Sequence, residues 1–366
     1  MLKLFKSFAP EVETLDLFKR VINSGYMAEG PMVKDFEGKL AKFYGVDEIM
    51  CTNSCTSAIT IALRCIGIKT NDEVITTPLT CIATNIPIVQ LGGKIRWADV
   101  NKSNGMINSE SVEKLINSNT KAIIVLHKEG DYCDLKRIRE LANEKNIPII
   151  EDCAHVWRTE NKGIRVPFGS DFACFSFQAI KHINTGDGGA LYCKPKFREI
   201  AKKLKWFGVD RSKRSSAVWL EDIKIDGYKM NMNDITAAMG LAQLKVVEPL
   251  LEKNYSNGRL YDLIFKNNRE DIITSTDRDI NRSSYWAYPI KVNNRAELIK
   301  YLSENNIEAR QIHPRNDKLT LFRNYRETTL PNLDEFDEKD LSLPCGWWVS
   351  HEDVELISSL VIKYAR

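Results

Sequence analysis

The sequence predicts an α/β protein: a three-layer αβα domain on a mainly parallel central sheet, followed by a smaller C-terminal α+β domain. Three observations predict it. Apolar runs of strand length alternate with amphipathic helical stretches through the first two thirds of the chain. Several of these runs are apolar without interruption, as in strands covered on both faces. Near residue 245 the alternation gives way to long helical stretches. The 366 residues, 43% hydrophobic, suffice for a large core with a companion. The boundary is set at residues 1–245 and 246–366.

Each element has its own signal. "MVKDFEGKLAKFYGV" places Val33, Phe36, Leu40 and Phe43 at helical spacing and stops at Gly45. "CTSAITIALRCIGI" is a second helix, with Asn53, Ser54 and Thr56 as cap candidates and Gly67 as its end. "DEVITTP" is a β-branched strand closed by Pro78, and "KIRWADV" is another. "TKAIIVLH" and "IPIIEDC" are buried strands around the amphipathic helix "DLKRIRELANEKN". "DFACFSF" and "GALYC" read as strands. Beyond them, "MNDITAAMGLAQLKVVEPLLEKNYSNGRLYDLIF" is one or two long helices, with Pro249 as a break or kink. "YWAYPIKV" is a strand and "NRAELIKYLSENNI" a helix. "LSLPCGWWVSHEDVELISSLVIKYA" turns through Pro344 and Gly346 into a terminal helix.

Composition excludes several classes. A net charge of +3 makes no case for nucleic acid or an anionic membrane. The densest basic run, "KPKFREIAKKLKWFGVDRSKR", has apolar residues at helical spacing and reads as a solvated helix face. No stretch of about 18 apolar residues predicts a membrane span, and "MLKLFKSFAPEVETL" lacks a signal-like apolar core. Nine irregularly spaced cysteines without a CxxC pair read as reduced thiols, so the expectation is a cytoplasmic protein. Five histidines, none at ligand spacing, predict no metal site.

In an open parallel sheet, functional groups gather beyond the carboxyl ends of strands. Three such points carry unusual residues. In "CTNSCTSA", small hydroxyl residues open a helix, where free backbone N–H groups with Thr56 and Ser57 suit a phosphate. Ordinary N-capping explains the same residues. In "IPIIEDCAH", Glu151 and Asp152 end a buried strand, and a carboxylate there needs a cation or hydrogen-bond donors. That partner is either a structural base or a protonated heterocyclic nitrogen. His155 follows three residues on. In "CFSFQAIKHINTGDGGALYC", one lysine, Lys181, stands between a strand and a glycine cluster. Those glycines lead into a strand rather than a helix, which excludes a dinucleotide loop. A phosphate cradle, a buried aspartate and a pocket lysine, in that order, are the three partners pyridoxal phosphate requires. A generic α/β binding protein with a buried Lys181–Asp152 ion pair is the rival reading.

At these residues the chain resembles the sugar-nucleotide aminotransferases of the DegT/StrS type, pyridoxal-phosphate enzymes of the aspartate-aminotransferase fold. The resemblance runs from "YMAEGPMVKDFE" to "GWWVS" and includes "NSCTSAITIAL", "TTPLTCIATN", "PIIEDCAH", "FSFQAIKHINTGDGG" and "GYKMNMNDITAAMGLAQL". It implies that Lys181 is the Schiff-base lysine and Asp152 the partner of the pyridine nitrogen. It implies that His155 touches the cofactor ring and that Thr56, Ser57 and Ser176 contact the phosphate. It further implies a homodimer with shared sites, in which Lys229 or Asn231 reaches the phosphate of the other subunit. The implied reaction is a ping-pong transfer from glutamate to a nucleotide-linked keto-deoxysugar. Two departures stand out. Cys81 occupies a position where many relatives carry a stacking aromatic. "IHPRNDKLTLF" replaces a His-Tyr-Pro…His segment, which makes His313, Arg315, Asn316 and Asp317 candidate substrate residues. Arg211 or Trp206 is a further candidate for the diphosphate or base. A related class of dehydratases carries histidine at the lysine position. Lys181 argues for amination over dehydration, with His182 beside it, and the intact Asp152–Ser176–Lys181 set argues against a silent scaffold.

Overall fold

The computed structural model describes residues 1–157, 169–209, 211, 222–268, 283–326 and 329–365, with the backbone of 160–161 and 164–165. Helices α1 (Glu11–Ser24) and α2 (Pro31–Tyr44) come first, and α2 ends on Gly45 at φ 71°. Strand β1 (Met50–Thr52) leads into α3 (Cys55–Ile66), capped by Ser54 and ended by Gly67 at φ 81°. These left-handed positions are the two glycine stops expected, where a Cβ would strain the turn.

The chain then alternates through β2 (Glu73–Thr76), α4 (Ile82–Gln90), β3 (Lys94–Trp97), α5 (Ser109–Leu115), β4 (Thr120–Leu126), α6 (Lys136–Lys145) and β5 (Ile149–Asp152), where the four strands and α6 were expected and α4 and α5 were not. A short antiparallel ribbon follows, β6 (Glu160–Asn161) and β7 (Ile164–Arg165). Strands β8 (Phe172–Ser176) and β9 (Gly189–Cys193) and helix α7 (Pro195–Lys205) complete the alternation. Seven strands form one sheet in the order β1-β9-β8-β5-β4-β2-β3. Pairs from β8 to β3 are parallel, and β9 runs antiparallel to both β8 and β1. Strands β4 and β5 are buried almost throughout, which is why they read as unbroken apolar runs. Their faces feed separate cores: Ile124 and Ile150 pack with α3, whereas Ile123, Val125 and Ile149 pack with α5 and α6.

Helix α8 (Asp234–Leu244) packs on α1 and α2. The break before α9 (Val247–Asn268) falls at residues 245–246. Pro249 is therefore not the break or kink expected from the sequence. It is the third residue of α9, where its missing N–H leaves no helical bond unmade. A second, smaller core unites α9 with β10 (Tyr288–Lys291), α10 (Arg295–Glu304), β11 (Asp340–Leu343) and α12 (His351–Tyr364). Short 3-10 turns at Asn316–Lys318 and Thr320–Tyr325 precede α11 (Pro331–Lys339). Strands β10 and β11 pair antiparallel. The N-terminal segment bridges the two cores. Leu2 pairs with Ile307, while the Phe8 carbonyl accepts from Asn184 Nδ2 at 2.6 Å. Among the described residues no helix is long and apolar enough to cross a membrane.

Candidate active site

The site forms where the carboxyl ends of β5 and β8 meet the N-terminus of α3. Alternation along β5 sends its two terminal carboxylates to opposite faces. Glu151 turns toward α6 and accepts from His127 Nε2 at 2.9 Å and Arg139 at 3.1 Å. Asp152, 3% exposed, turns toward α3 and α4. Thr84 Oγ1 donates to it at 2.7 Å, and the Ala154 N–H donates at 3.0 Å. Cys55 Sγ lies 3.9 Å from the same carboxylate. The adjacent acids of the motif thus have separate duties, and the one on the α3 side is held by a hydroxyl, a backbone N–H and, more weakly, the Cys55 thiol.

Lys181 lies beyond β8, in a turn whose N–H donates to Gln178 O at 2.8 Å. Part of its surface opens to a cleft, but the dense protein around it strips water from the amine. Burial lowers its proton affinity to about 8, against the opposing pull of Asp152. Its Nζ lies 3.8 Å from the centre of the Trp286 ring. Trp286 stacks on His155 at 4.1 Å and 14°, and His155 stacks on His313 at 5.1 Å and 11°. The Glu129 N–H donates to His155 Nδ1 at 3.4 Å, which puts the His155 proton on Nε2, 3.3 Å from His313 Nε2. Burial, then Lys181, pushes His155 well below the usual imidazole range and His313 down to about 3. Both rings are neutral.

Sheet register assembles the third component. Thr52 pairs with Gly189, and Gly189 pairs with Ser176, so one row across three strands brings the start of α3 beside the end of β8. A Cβ on Gly189 would lie 2.4 Å from the Cys55 nitrogen, so only glycine permits this approach. Ser54 Oγ accepts the Ser57 N–H at 3.1 Å, and Ser57 Oγ donates to Asn53 Oδ1 at 2.6 Å. Thr56 is half-buried on the same turn. The Ser176 hydroxyl accepts the Gln178 N–H at 3.3 Å. Lys229 and Asn231 run alongside. Asn231 bridges Thr52 and accepts from Lys229 Nζ at 2.9 Å, while Lys229 is exposed.

Other candidates are engaged elsewhere. Arg315 is 5% exposed and forks onto Asp317 at 2.9 and 2.7 Å, with a further bond to Asp334. Asn316 donates to Thr80 O at 2.7 Å and accepts from Asn85 at 3.3 Å. Arg211 pairs with Glu29 and lies 4.8 Å from the Trp206 ring. Those two residues line a cleft of about 810 Å³ bordered by residues of α2 and α7. His182 points away from the amine chemistry: its Nε2 lies 3.1 Å from Ser284 O, and burial pushes it down to about 4. His127, Glu151 and Cys153 come within 4.8 Å of one another, but both His127 nitrogens already have protein partners. Sequence reasoning missed Thr84 and Trp286. Thr84 carried a signal, a hydroxyl within the "TCIATN" segment read only for Cys81. Trp286 carried none, because its role depends on the segment before β10 packing with the N-terminal segment against the turn that holds Lys181.

Fold and site together define an enzyme that brings a desolvated amine and a buried carboxylate to the mouth of a parallel sheet. Residues 10–361 match the DegT/DnrJ/EryC1/StrS aminotransferase family, and the chain belongs to that family. It is 29% identical to the UDP-4-amino-4,6-dideoxy-N-acetyl-beta-L-altrosamine transaminase of Campylobacter jejuni, over 95% of this chain and 92% of that protein. The fold superposes on a sugar aminotransferase of Micromonospora echinospora with a TM-score of 0.93 and 28% identity, covering 100% of both chains. It also superposes on a Streptococcus pneumoniae protein solved in PLP-form and PMP-form. The PLP-form gives a TM-score of 0.89 at 25% identity, over 99% of this chain and 98% of that one. The chain is a sugar aminotransferase acting on small molecules, of a family whose aminotransferases depend on pyridoxal phosphate.

Proposed function

We propose that this chain transfers an amino group from glutamate to a nucleotide-linked keto-deoxysugar of the 4-keto-6-deoxy kind, by a ping-pong mechanism. In this reading it works in the cytoplasm as a homodimer with shared active sites and feeds amino-sugar or polysaccharide synthesis. The observation that carries it is a desolvated lysine amine facing a buried, hydrogen-bonded aspartate.

The donor set fits pyridoxal 5'-phosphate. An aldehyde needs an uncharged amine, and Lys181 is uncharged in about half of molecules near pH 8. A protonated ring nitrogen needs an oriented carboxylate, and Thr84 and Ala154 fix that of Asp152. A phosphate dianion needs donors, and the first turn of α3 offers N–H groups with the Thr56, Ser57 and Ser176 hydroxyls nearby. When bound, the cofactor supplies an electron sink for the substrate carbon. With the cofactor in place, Lys181 would serve as the acid–base group of the site, its Nζ taking up a proton and giving it back. Asp152 keeps the ring nitrogen protonated. His155, neutral and held at Nδ1, supports the ring without adding charge. Lys229 or Asn231 of a second copy completes the phosphate site. His313, stacked on His155, borders the sugar. Arg315 and Asn316, candidates from the sequence, are occupied by Asp317, Asp334, Thr80 and Asn85 and hold the segment behind His313 rather than the sugar itself.

The test is spectroscopic and covalent. Protein incubated with pyridoxal phosphate should turn yellow, and glutamate should bleach it. Borohydride reduction followed by digestion should label Lys181, and Lys181→Ala should give neither signal. Protein that is colourless once unbound cofactor has been removed by desalting would overturn the reading. Keto-sugar nucleotides supplied after bleaching should restore the colour, and the one that does so fastest identifies the acceptor.

A further inference from the structure

We infer that Trp286 is a positioning residue for Lys181, its indole serving as the face on which the lysine ammonium rests whenever the amine is not covalently engaged. The inference rests on the proposed role of Lys181, and it concerns a side chain that no motif of the family reading includes.

Two contacts from one side chain carry it. The Lys181 Nζ lies 3.8 Å from the ring centre, well inside the roughly 6 Å range of a cation–π contact. The Trp286 Nε1–H donates to the Ile180 carbonyl at 2.8 Å, one residue before the lysine. The same ring therefore fixes both the backbone that launches Lys181 and the head group at its tip. The ring itself cannot swing. Trp286 is 3% exposed and is stacked on both Phe5, at 4.4 Å and 24°, and His155, at 4.1 Å and 14°. Among the described residues no hydrogen bond or ion pair holds the Nζ.

The groups around the amine explain why a π face suits it. Asp152 approaches from β5, Cys55 from α3 and Cys81 from the turn before α4. His155, His313 and His182 surround it as neutral rings, with Lys128 as a further cation beside the two stacked histidines. A hydrogen-bonding acceptor at this position would take hold of the ammonium proton. The indole attracts the charge and accepts no proton, so it holds the ammonium in place without competing for the proton.

The experiment uses the cofactor-free protein and does not read turnover. Lys181 acylation by acetic anhydride is followed by mass spectrometry across pH 6–11 in the parent protein, Trp286→Phe and Trp286→Leu, with folding checked by circular dichroism. Removing the π face withdraws stabilisation from the charged form, and this loss outweighs the relief of burial that a smaller side chain brings. The acylation midpoint should fall by about one pH unit in Trp286→Leu and by less in Trp286→Phe. A midpoint unchanged or raised in folded Trp286→Leu overturns the inference. Should that variant fail to fold, Trp286→Phe decides in its place, a downward shift supporting and an unmoved midpoint overturning it. Borohydride labelling of Lys181 with pyridoxal phosphate in the parent protein is run alongside. Its failure would strike the proposed function, whereas an unmoved midpoint strikes only the role of Trp286.

Discussion

Replacing Lys181 with methionine keeps an unbranched side chain, one atom shorter, and removes its charge, so it isolates what burying the amine costs the fold. The folded amine titrates at about 8 against an ordinary lysine value of 10.5. At about 1.4 kcal/mol per pH unit, that gap corresponds to about 3 kcal/mol of destabilisation when both folded and unfolded chains are protonated. The sign follows from proton counting. Below pH 8 both states hold the proton and the full cost applies. Between 8 and 10.5 the folded state has released it and the unfolded state has not, so stability rises with pH. From pH 7 to 9.5, about 2 of those 3 kcal/mol should be recovered in the parent protein and none in Lys181→Met. Urea unfolding of both cofactor-free proteins at several pH values measures the difference, which cancels other titrating groups. The variant should be the more stable at pH 7, with its advantage shrinking steadily toward pH 9.5. A constant difference across that range would refute the desolvated-amine argument, and with it the reason Lys181 is reactive near neutral pH.

Three further outcomes are expected. Arg315→Met should lower stability by about 3 kcal/mol in urea unfolding, because it leaves the buried Asp317 carboxylate without its fork; KM for the sugar should change little, and a large KM effect with unchanged stability would restore Arg315 as a substrate contact. Lys128→Met should cost about 3–5 kcal/mol at pH 8, since Lys128 holds Glu129 at 2.9 Å and Asp340 at 3.2 Å across the two cores. That loss should shrink at pH 5, because Asp340, already raised to about 6 by burial, takes up a proton there in the folded state; equal losses at both pH values would contradict it. His182→Gln should keep glutamate-dependent bleaching and Lys181 labelling, because its ring is spent on the Ser284 carbonyl; loss of labelling in a folded variant would make His182 part of the chemistry.

What the sequence disclosed divides along the range of the interaction. Strands β4 and β5 were readable because a strand covered on both faces must be apolar along its length. Helices α2 and α3 were readable because their glycine ends meet a local backbone requirement. Asp152 and Lys181 stood out because a charge inside an apolar run has few inexpensive explanations. Helix α4 was missed: Pro87 lies within it, and it is apolar on most sides, so neither periodicity nor propensity marks it. Pro249 was misplaced because a proline is read the same way in the interior of a helix and in its first turn, and only the end of α8 distinguishes them. The segment around Arg315 shows the same limit from the functional side. Arginine next to asparagine in a divergent stretch looks like specificity until Asp317, two residues on, and Asp334, from another helix, are seen to occupy it. Trp286 is the hardest case. It stands just ahead of β10 in an apolar stretch that reads as plain strand, and its contacts, Phe5, His155 and Lys181, lie far apart in the chain. A residue whose role is to hold another residue leaves no pattern of its own. The aromatic absent at Cys81 was visible in the sequence, whereas the aromatic beside the lysine appears only once Leu4, Phe5 and Ile312, from opposite ends of the chain, pack around it.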